Sequence, residues 1–219
     1  MQTMSETLTT TSTLLFAGLD LPADREADVL AWHSEEHLPE RLALPGFNRG
    51  RRFICLDGSP KFLILYELAG LEVLRSVPYL ERLNNPTPWT ARSLPEFRNN
   101  FRTAFEVLAS AGNGSGTYFS ATRIPSDSLV ALKGVLGELS ERQGIGGVML
   151  ARPDRAHSTI ATAESHASGN AVLDTPMLFA EAADLAALDE LDRVLVQRWP
   201  GMKRVGSYRL QAERSAATS

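Results

Sequence analysis

The sequence predicts an α+β fold built from two βαββαβ units, whose antiparallel sheets face each other with the helices outside. Three observations carry that expectation. The Gly/Ser/Asn cluster Ala111-Gly-Asn-Gly-Ser-Gly116 cannot hold a regular element. It divides the chain into halves of roughly 100 residues each, near the usual size of a small domain. Strand-like and helix-like stretches then follow one another in the same order in both halves. Finally, the strand Phe62–Leu68 is apolar on both faces except at Glu67. Its second face therefore needs a cover, most simply the sheet of the other half.

In the first half, Thr13–Leu19 is an apolar run of strand length. Ala23–His37 has helical composition, with acidic residues near its start that suit the helix dipole. Pro39 interrupts or restarts this helix, because it has no N–H to donate, and Pro45-Gly46 ends it. Phe47–Leu56 alternates as a strand, and the turn Asp57–Pro60 folds it back on Phe62–Leu68 as a hairpin. Leu71–Leu83 is a second helix and Asn85–Pro95 a Pro-rich loop. Asn100–Leu108 closes the unit, with Phe101, Thr103, Phe105 and Val107 on one face.

The second half repeats the order. Thr117–Ile124 is a strand, and Ser126 or Asp127 caps a helix running to about Arg142. Ile145–Ala151 and Met177–Glu181 are strands. Asp184–Trp199 is a periodic helix with the apolar stripe Leu185, Leu188, Leu191, Leu195, stopped by Pro200-Gly201 before the strand Val205–Leu210. The connection Pro153–Thr175 is long for a hairpin and reads as an insertion, where function often sits. The expected organisation is a disordered N-terminus over 1–12, a first ferredoxin-like unit over 13–111, a linker over 112–116, a second unit over 117–211 and a disordered tail over 212–219. The sheets can meet within one chain or across a homodimer. Tethering of sequential units favours the single chain.

Composition narrows the function classes. Hydrophobic residues make up 43% of the chain, enough to fill a core. A net charge of −4 argues against nucleic acid as a partner. Cys55 is the only cysteine, so neither an intrachain disulfide nor a cysteine-rich zinc site can form. No apolar run approaches the roughly 20 residues of a membrane helix. The N-terminus lacks a basic secretory n-region, so the expected location is the cytoplasm, away from membranes.

Several motifs stand out: Trp32-His-Ser-Glu-Glu-His-Leu-Pro-Glu40, Leu44-Pro-Gly-Phe47, Gly50-Arg-Arg-Phe53, Leu65-Tyr-Glu-Leu68 and Asn85-Pro-Thr-Pro-Trp-Thr90. Through them, residues 14–108 resemble the dimeric α+β barrel superfamily, in particular EthD-like proteins and a related bacterial group. Residues 115–211 share only the order of elements. The resemblance implies a barrel with helices outside and a small-molecule pocket between sheet and helices. It does not choose a reaction, since the superfamily includes cofactor-free cyclases and lactone isomerases, quinone-forming monooxygenases and haem proteins.

His37 is the first candidate for chemistry. An imidazole of near-neutral pKa can move a proton to or from carbon or oxygen. Glu36, Glu40 and Glu67 are candidate partners that would fix its tautomer. Its structural alternative is to cap a helix end before Pro39. His33, four residues earlier, reads as solvated surface. Tyr66 and Glu67 point to opposite faces of their strand. Glu67 either pairs with an arginine such as Arg102 or Arg52, or lines a pocket. Arg51, sharing a face with Arg49, Phe47, Phe53 and Cys55 under regular alternation, would bind a carboxylate or enolate or form a basic strand edge. Trp32, Tyr79 and Trp89 are candidate pocket walls, and Cys55 reads as inert core filling. His157, Glu164 and His166 in the insertion match no compact metal motif. Gly144-Ile-Gly-Gly147, with no helix after it, makes no phosphate loop.

The expectation is a cofactor-independent proton-transfer enzyme of cyclase, isomerase or lyase type, acting on a small carbonyl or aromatic ligand without metal. His37, Glu67 and Tyr66 are its catalytic candidates. Trp32, Arg51, Tyr79 and Trp89 are its binding candidates. A haem-binding or monooxygenase-like redox protein is the first alternative, and a non-catalytic binding or assembly module the second.

Overall fold

The computed structural model describes residues 13–217. The segment 1–12, expected to be disordered, lies outside them. Eight strands are formed: β1 (Thr13–Asp20), β2 (Phe47–Gly58), β3 (Phe62–Leu68), β4 (Arg98–Gly112), β5 (Tyr118–Arg123), β6 (Ile145–Asp154), β7 (Met177–Ala182) and β8 (Lys203–Ser215). They close into one antiparallel barrel in the order β1-β3-β2-β8-β5-β7-β6-β4. The first unit supplies β1 to β4 and the second β5 to β8. The seams between units are β2 against β8 and β4 against β6. The barrel therefore closes within a single chain.

Alternation along each strand sorts the side chains. Leu63 and Leu65 of β3 point into the barrel, while Phe62, Ile64, Tyr66 and Leu68 lie outside it beneath helices. That is why β3 is apolar on both faces. The interior is filled by aromatic rings from both units. Phe53 stacks on Phe119 at 4.7 Å, Phe119 on Phe179 at 5.9 Å, and Phe16 meets Phe179 edge-on at 5.0 Å. Phe101 and Phe105 of β4 belong to the same interior cluster, and Val107 packs against it.

Two strands depart from the expected pattern. A bulge between Phe47 and Arg49 reverses the alternation of β2. Phe47 lies in the helix-side cluster, whereas Phe53 points inward, so Phe47 does not share a face with Arg51 and Phe53. β8 continues to Ser215, which is paired with Arg49. Residues 212–215 are thus strand rather than frayed tail, because the first half of β2 needs hydrogen-bond partners on its outer edge.

The helices cover the outer faces. α1 (Glu26–Trp32) and α2 (Leu38–Leu42) are joined by a π-helical turn, His33–His37, in which the Leu38 N–H reaches the His33 carbonyl. Pro39 cannot donate to the Glu35 carbonyl and would crowd it in an α-helix, so the wider turn accommodates the proline without ending the helix. α3 (Val77–Asn84) and α4 (Pro88–Ser93) complete the first unit. In the second unit the expected long helix is broken into α5 (Leu129–Lys133) and α6 (Leu136–Ser140), with Gly134 between them and no side-chain cap on either. α7 (Arg155–Ser158) and α8 (Ala163–Ser168) lie in the long β6–β7 connection. α9 (Leu185–Arg198) is capped by Asp184 and buries Leu188, Leu191 and Leu195. No helix among the described residues is long and apolar enough to cross a membrane.

The β6–β7 connection crosses to the first unit and is pinned along β4. Arg102 N–H donates to the Ala171 carbonyl at 2.9 Å. Leu173 N–H donates to Thr103 Oγ1 at 2.8 Å, and Ala104 N–H to Ser158 Oγ at 2.9 Å.

Candidate functional site

A cavity of about 360 Å³ lies between the outer face of the first unit's sheet, its helices and the crossing segment. Leu15 and Ile64 from the strands, Leu74 and Leu83 from the helical side, and Phe97 give it mainly apolar walls. Its polar groups come from three directions: His33, His37 and Arg41 from the α1–α2 helix, Tyr66 and Arg102 from the sheet, and Glu164 from α8. Gly50 helps to seat the helix on the sheet. A Cβ there would fall 2.4 Å from Leu38 Cδ1 and 2.9 Å from the Tyr66 ring.

His37 is partly buried, with its Nδ1 shut off from solvent and without a hydrogen-bond partner. Its ring lies 4.4 Å from that of Trp32 and 5.7 Å from that of His33. Burial, reinforced by Arg41 and then His33, holds its pKa well below the usual 6.5, so the ring is neutral at pH 7. The chain continues through α2, so His37 caps no helix end. Its expected carboxylate partners are engaged elsewhere. Glu36 accepts from Trp32 Nε1, Thr87 and Thr90, Glu40 pairs with Arg82, and Glu67 pairs with arginines.

His33 is buried, not solvated surface. Its Nδ1 lies 3.1 Å from Arg52 Nη1. Arginine has only donors, so Nδ1 accepts and the proton sits on Nε2. Burial, with Arg52 and Arg41 adding to it, lowers its pKa to about 3. The sequence hid this partner because Arg52 reaches it from the outer face of β2.

Tyr66 lines the cavity with its hydroxyl unpartnered, and burial raises its pKa. Trp32 is fixed by Nε1 hydrogen bonds to Thr90 Oγ1 at 3.1 Å and Glu36 at 3.2 Å. Tyr79 accepts a 2.7 Å hydrogen bond from Arg102 Nη2. The remaining three candidates lie elsewhere. Trp89 turns away, donates to Asp28 at 3.3 Å and has the Arg92 guanidinium over its ring. The nearby Thr87 and Thr90 instead donate to Glu36, and Thr90 also accepts from Trp32 Nε1. Arg51 is fully buried and joins Glu181 at 2.7 Å and Glu67 at 2.9 Å. Its face is set by the β2 bulge, which puts it inside the barrel. Glu67 follows it there and pairs with Arg51 and Arg49, neither with Arg102 nor with Arg52.

Arg41 was not anticipated from the sequence, and Glu164 was weighed there only as a metal ligand. Arg41 Nη2 donates to both Glu164 oxygens, at 2.7 and 2.5 Å, while Nη1 has no partner. Arg41 stands four residues after His37, a spacing that places it on the same side of a helix. No spacing could have announced Glu164, 123 residues away. The cavity-lining residues thus carry four buried polar atoms lacking a protein partner: His33 Nε2, His37 Nδ1, Arg41 Nη1 and Tyr66 Oη. Buried polar groups are usually satisfied, so such a set is suited to the polar part of a ligand.

No family model matches the sequence, and a search of curated proteins finds no match. Solved structures do match. The chain is similar to an anthrone oxidase-like protein at 15% identity and a TM-score of 0.61, over 95% of each chain. It is similar to a protein of Fusobacterium nucleatum provisionally assigned as a monooxygenase, at 11% identity and 0.58, over 94% of this chain and 95% of that one. A haem-binding protein of Thermus thermophilus aligns at 11% identity and 0.51, over 92% of each chain. At these identities the likeness is one of fold. The shared architecture is an eight-stranded antiparallel α+β barrel, closed here within one chain.

Proposed function

We propose that the chain is a cofactor-free oxidase of the monooxygenase type. It binds a small ring-bearing compound in the first unit's cavity, removes a proton from it with His37 and lets the resulting anion react with dioxygen. The observation that carries this reading is the neutral His37, with its Nδ1 buried and unpartnered in a mainly apolar cavity beside Arg41 and Tyr66. A neutral imidazole is already in the proton-accepting form. Charging it beside Arg41 is costly. An oxyanion forming on the substrate in the same step offsets that cost, because it accepts hydrogen bonds from Arg41 Nη1 and Tyr66 Oη and faces both cations. The EthD-like resemblance of residues 14–108 belongs to this proposal, since its Trp32–Glu40 segment builds the histidine wall.

The reaction balances as CH2 + O2 → C=O + H2O. His37 takes one C–H proton, and the carbanion passes its electrons to dioxygen and forms a C–O bond. The peroxide recovers the proton from His37. Loss of the second C–H proton then breaks the O–O bond and releases water. The cyclase, isomerase or lyase chemistry expected from the sequence would use the same base without dioxygen, so oxygen dependence separates the two. Haem, suggested by the Thermus structure, fits poorly. Its two carboxylates would need two cations, but Arg41 is paired with Glu164, which leaves Arg102 as the one cavity arginine without a carboxylate partner among the described residues.

The anthrone oxidase-like structure directs the first test to anthrone, whose acidic CH2 lies between two rings. An oxygen electrode should record one dioxygen consumed per anthrone, above the uncatalysed rate. His37→Ala should lower that rate by about 10²–10⁴-fold, the usual contribution of a general base. No uptake above background, or a wild-type rate in His37→Ala, would overturn the reading.

A further inference from the structure

In the repeated element order, the β6–β7 connection takes the place of the short β2–β3 turn, yet it is long and crosses to the other unit. By that crossing Glu164 reaches Arg41. The pair is nearly dry, with side-chain exposures of 3% for Arg41 and 10% for Glu164, and both line the cavity. The crossing segment is also held by its main chain, at Ala171 and Leu173 on β4 and at Ala163 N–H on Asn84 Oδ1. The ion pair is therefore not the only thing docking the segment. What the pair does set is the charge that a ligand meets at Arg41, across the cavity from the Arg102 guanidinium. Without Glu164, Arg41 would be a buried cation open to any carboxylate. With Glu164 in place, an entering carboxylate meets a like charge in a low-dielectric space, where repulsion is weakly screened.

We propose that Glu164 is the ligand-selectivity residue of the cavity: by occupying Arg41 Nη2 it refuses ligands that arrive as carboxylates and leaves Nη1 to an uncharged ligand oxygen. The proposal rests on the reading of this cavity as the ligand site, and not on the oxidation chemistry. 2-Naphthol and 2-naphthoate are probes of matched shape that differ in charge. Calorimetric titration of the intact protein at pH 7 should give naphthol at least a tenfold tighter Kd than naphthoate. Glu164→Gln should tighten naphthoate at least tenfold while moving naphthol less than threefold. Arg41→Gln added to Glu164→Gln should abolish that gain.

Equal wild-type affinity for the two probes, or an unchanged ratio in Glu164→Gln, overturns the proposal. If Glu164→Gln binds neither probe, Glu164→Asp decides, since it draws the carboxylate back from Arg41. A ratio shifted towards naphthoate then supports the proposal, and an unchanged one overturns it. If wild-type protein binds neither probe, the cavity reading falls with the proposal. If naphthol binds and the ratio does not move, only the selectivity role falls.

Discussion

The rings of the buried His33 and the partly buried His37 lie 5.7 Å apart, and their neutrality links the site to stability. In the unfolded chain each takes up a proton near the ordinary pKa of 6.5, whereas folded His33 does so only near about 3 and His37 well below 6.5. Below pH 6.5 the unfolded state therefore binds protons that the folded state does not, and stability falls as the pH falls. The slope approaches about 1.4 kcal/mol per pH unit for each histidine. Ordinary carboxylates titrate near about pH 4, while Glu181 and Glu40, raised by burial, oppose the decline, so the histidine variants isolate the imidazole share. Urea midpoints measured from pH 7.5 to 5 should decline below pH 6.5. His33→Asn, which keeps an acceptor for Arg52, should roughly halve the slope. A flat wild-type profile over that window would contradict the buried, neutral assignment. Of these residues, His37 stood out in the sequence because imidazole chemistry is particular. His33 did not, since its burial depends on the distant Arg52.

At the scale of elements, the crossing segment is the part whose order is most easily changed. α8 has six residues, too few to persist alone, and is held at its start by a reciprocal capping box. Ser165 N–H donates to Thr162 Oγ1 at 3.2 Å, and Thr162 N–H to Ser165 Oγ at 2.8 Å. Thr162→Ala should cost about 1 kcal/mol locally. Amide exchange measured by mass spectrometry should then quicken about fivefold over residues 163–169 while the strands keep their protection. Unchanged exchange there would mean that the main-chain ties to β4 suffice. The long connection was legible as an insertion from its length. Its destination was not, because composition says nothing about which unit a loop crosses to. The π turn and the β2 bulge were illegible for a related reason. Each is a single-residue irregularity that Pro39 or Asn48 permits but does not dictate, and each decides where His37 or Arg51 points.

For the whole molecule, the repeat order and the two-sided apolarity of β3 were enough to anticipate a barrel with helices outside. Alternation and turn chemistry are local, and the barrel is their consistent sum. The charges inside it were not anticipated. Arg51 of the first unit is completely buried and binds Glu181 of the second at 2.7 Å, with Glu67 completing the group. Burial pushes the Glu181 carboxyl up even against the pull of Arg51, and Glu181 Oε1 has no partner. Such a group ties the two units together without necessarily stabilising them. Desolvating three charges offsets much of their attraction, whereas removing one partner strands the others. Arg51→Met should therefore cost about 3–5 kcal/mol of unfolding free energy, because Glu181 is left buried without its cation. The double variant Arg51→Met, Glu181→Met should recover most of that loss, since it replaces ions with apolar bulk next to Phe53 and Phe119. Urea denaturation of the wild type and of all three variants measures the coupling directly. A double variant as unstable as Arg51→Met alone would mean that the guanidinium is held for its shape within the barrel, and that charge pairing between the two units contributes little to keeping the barrel closed.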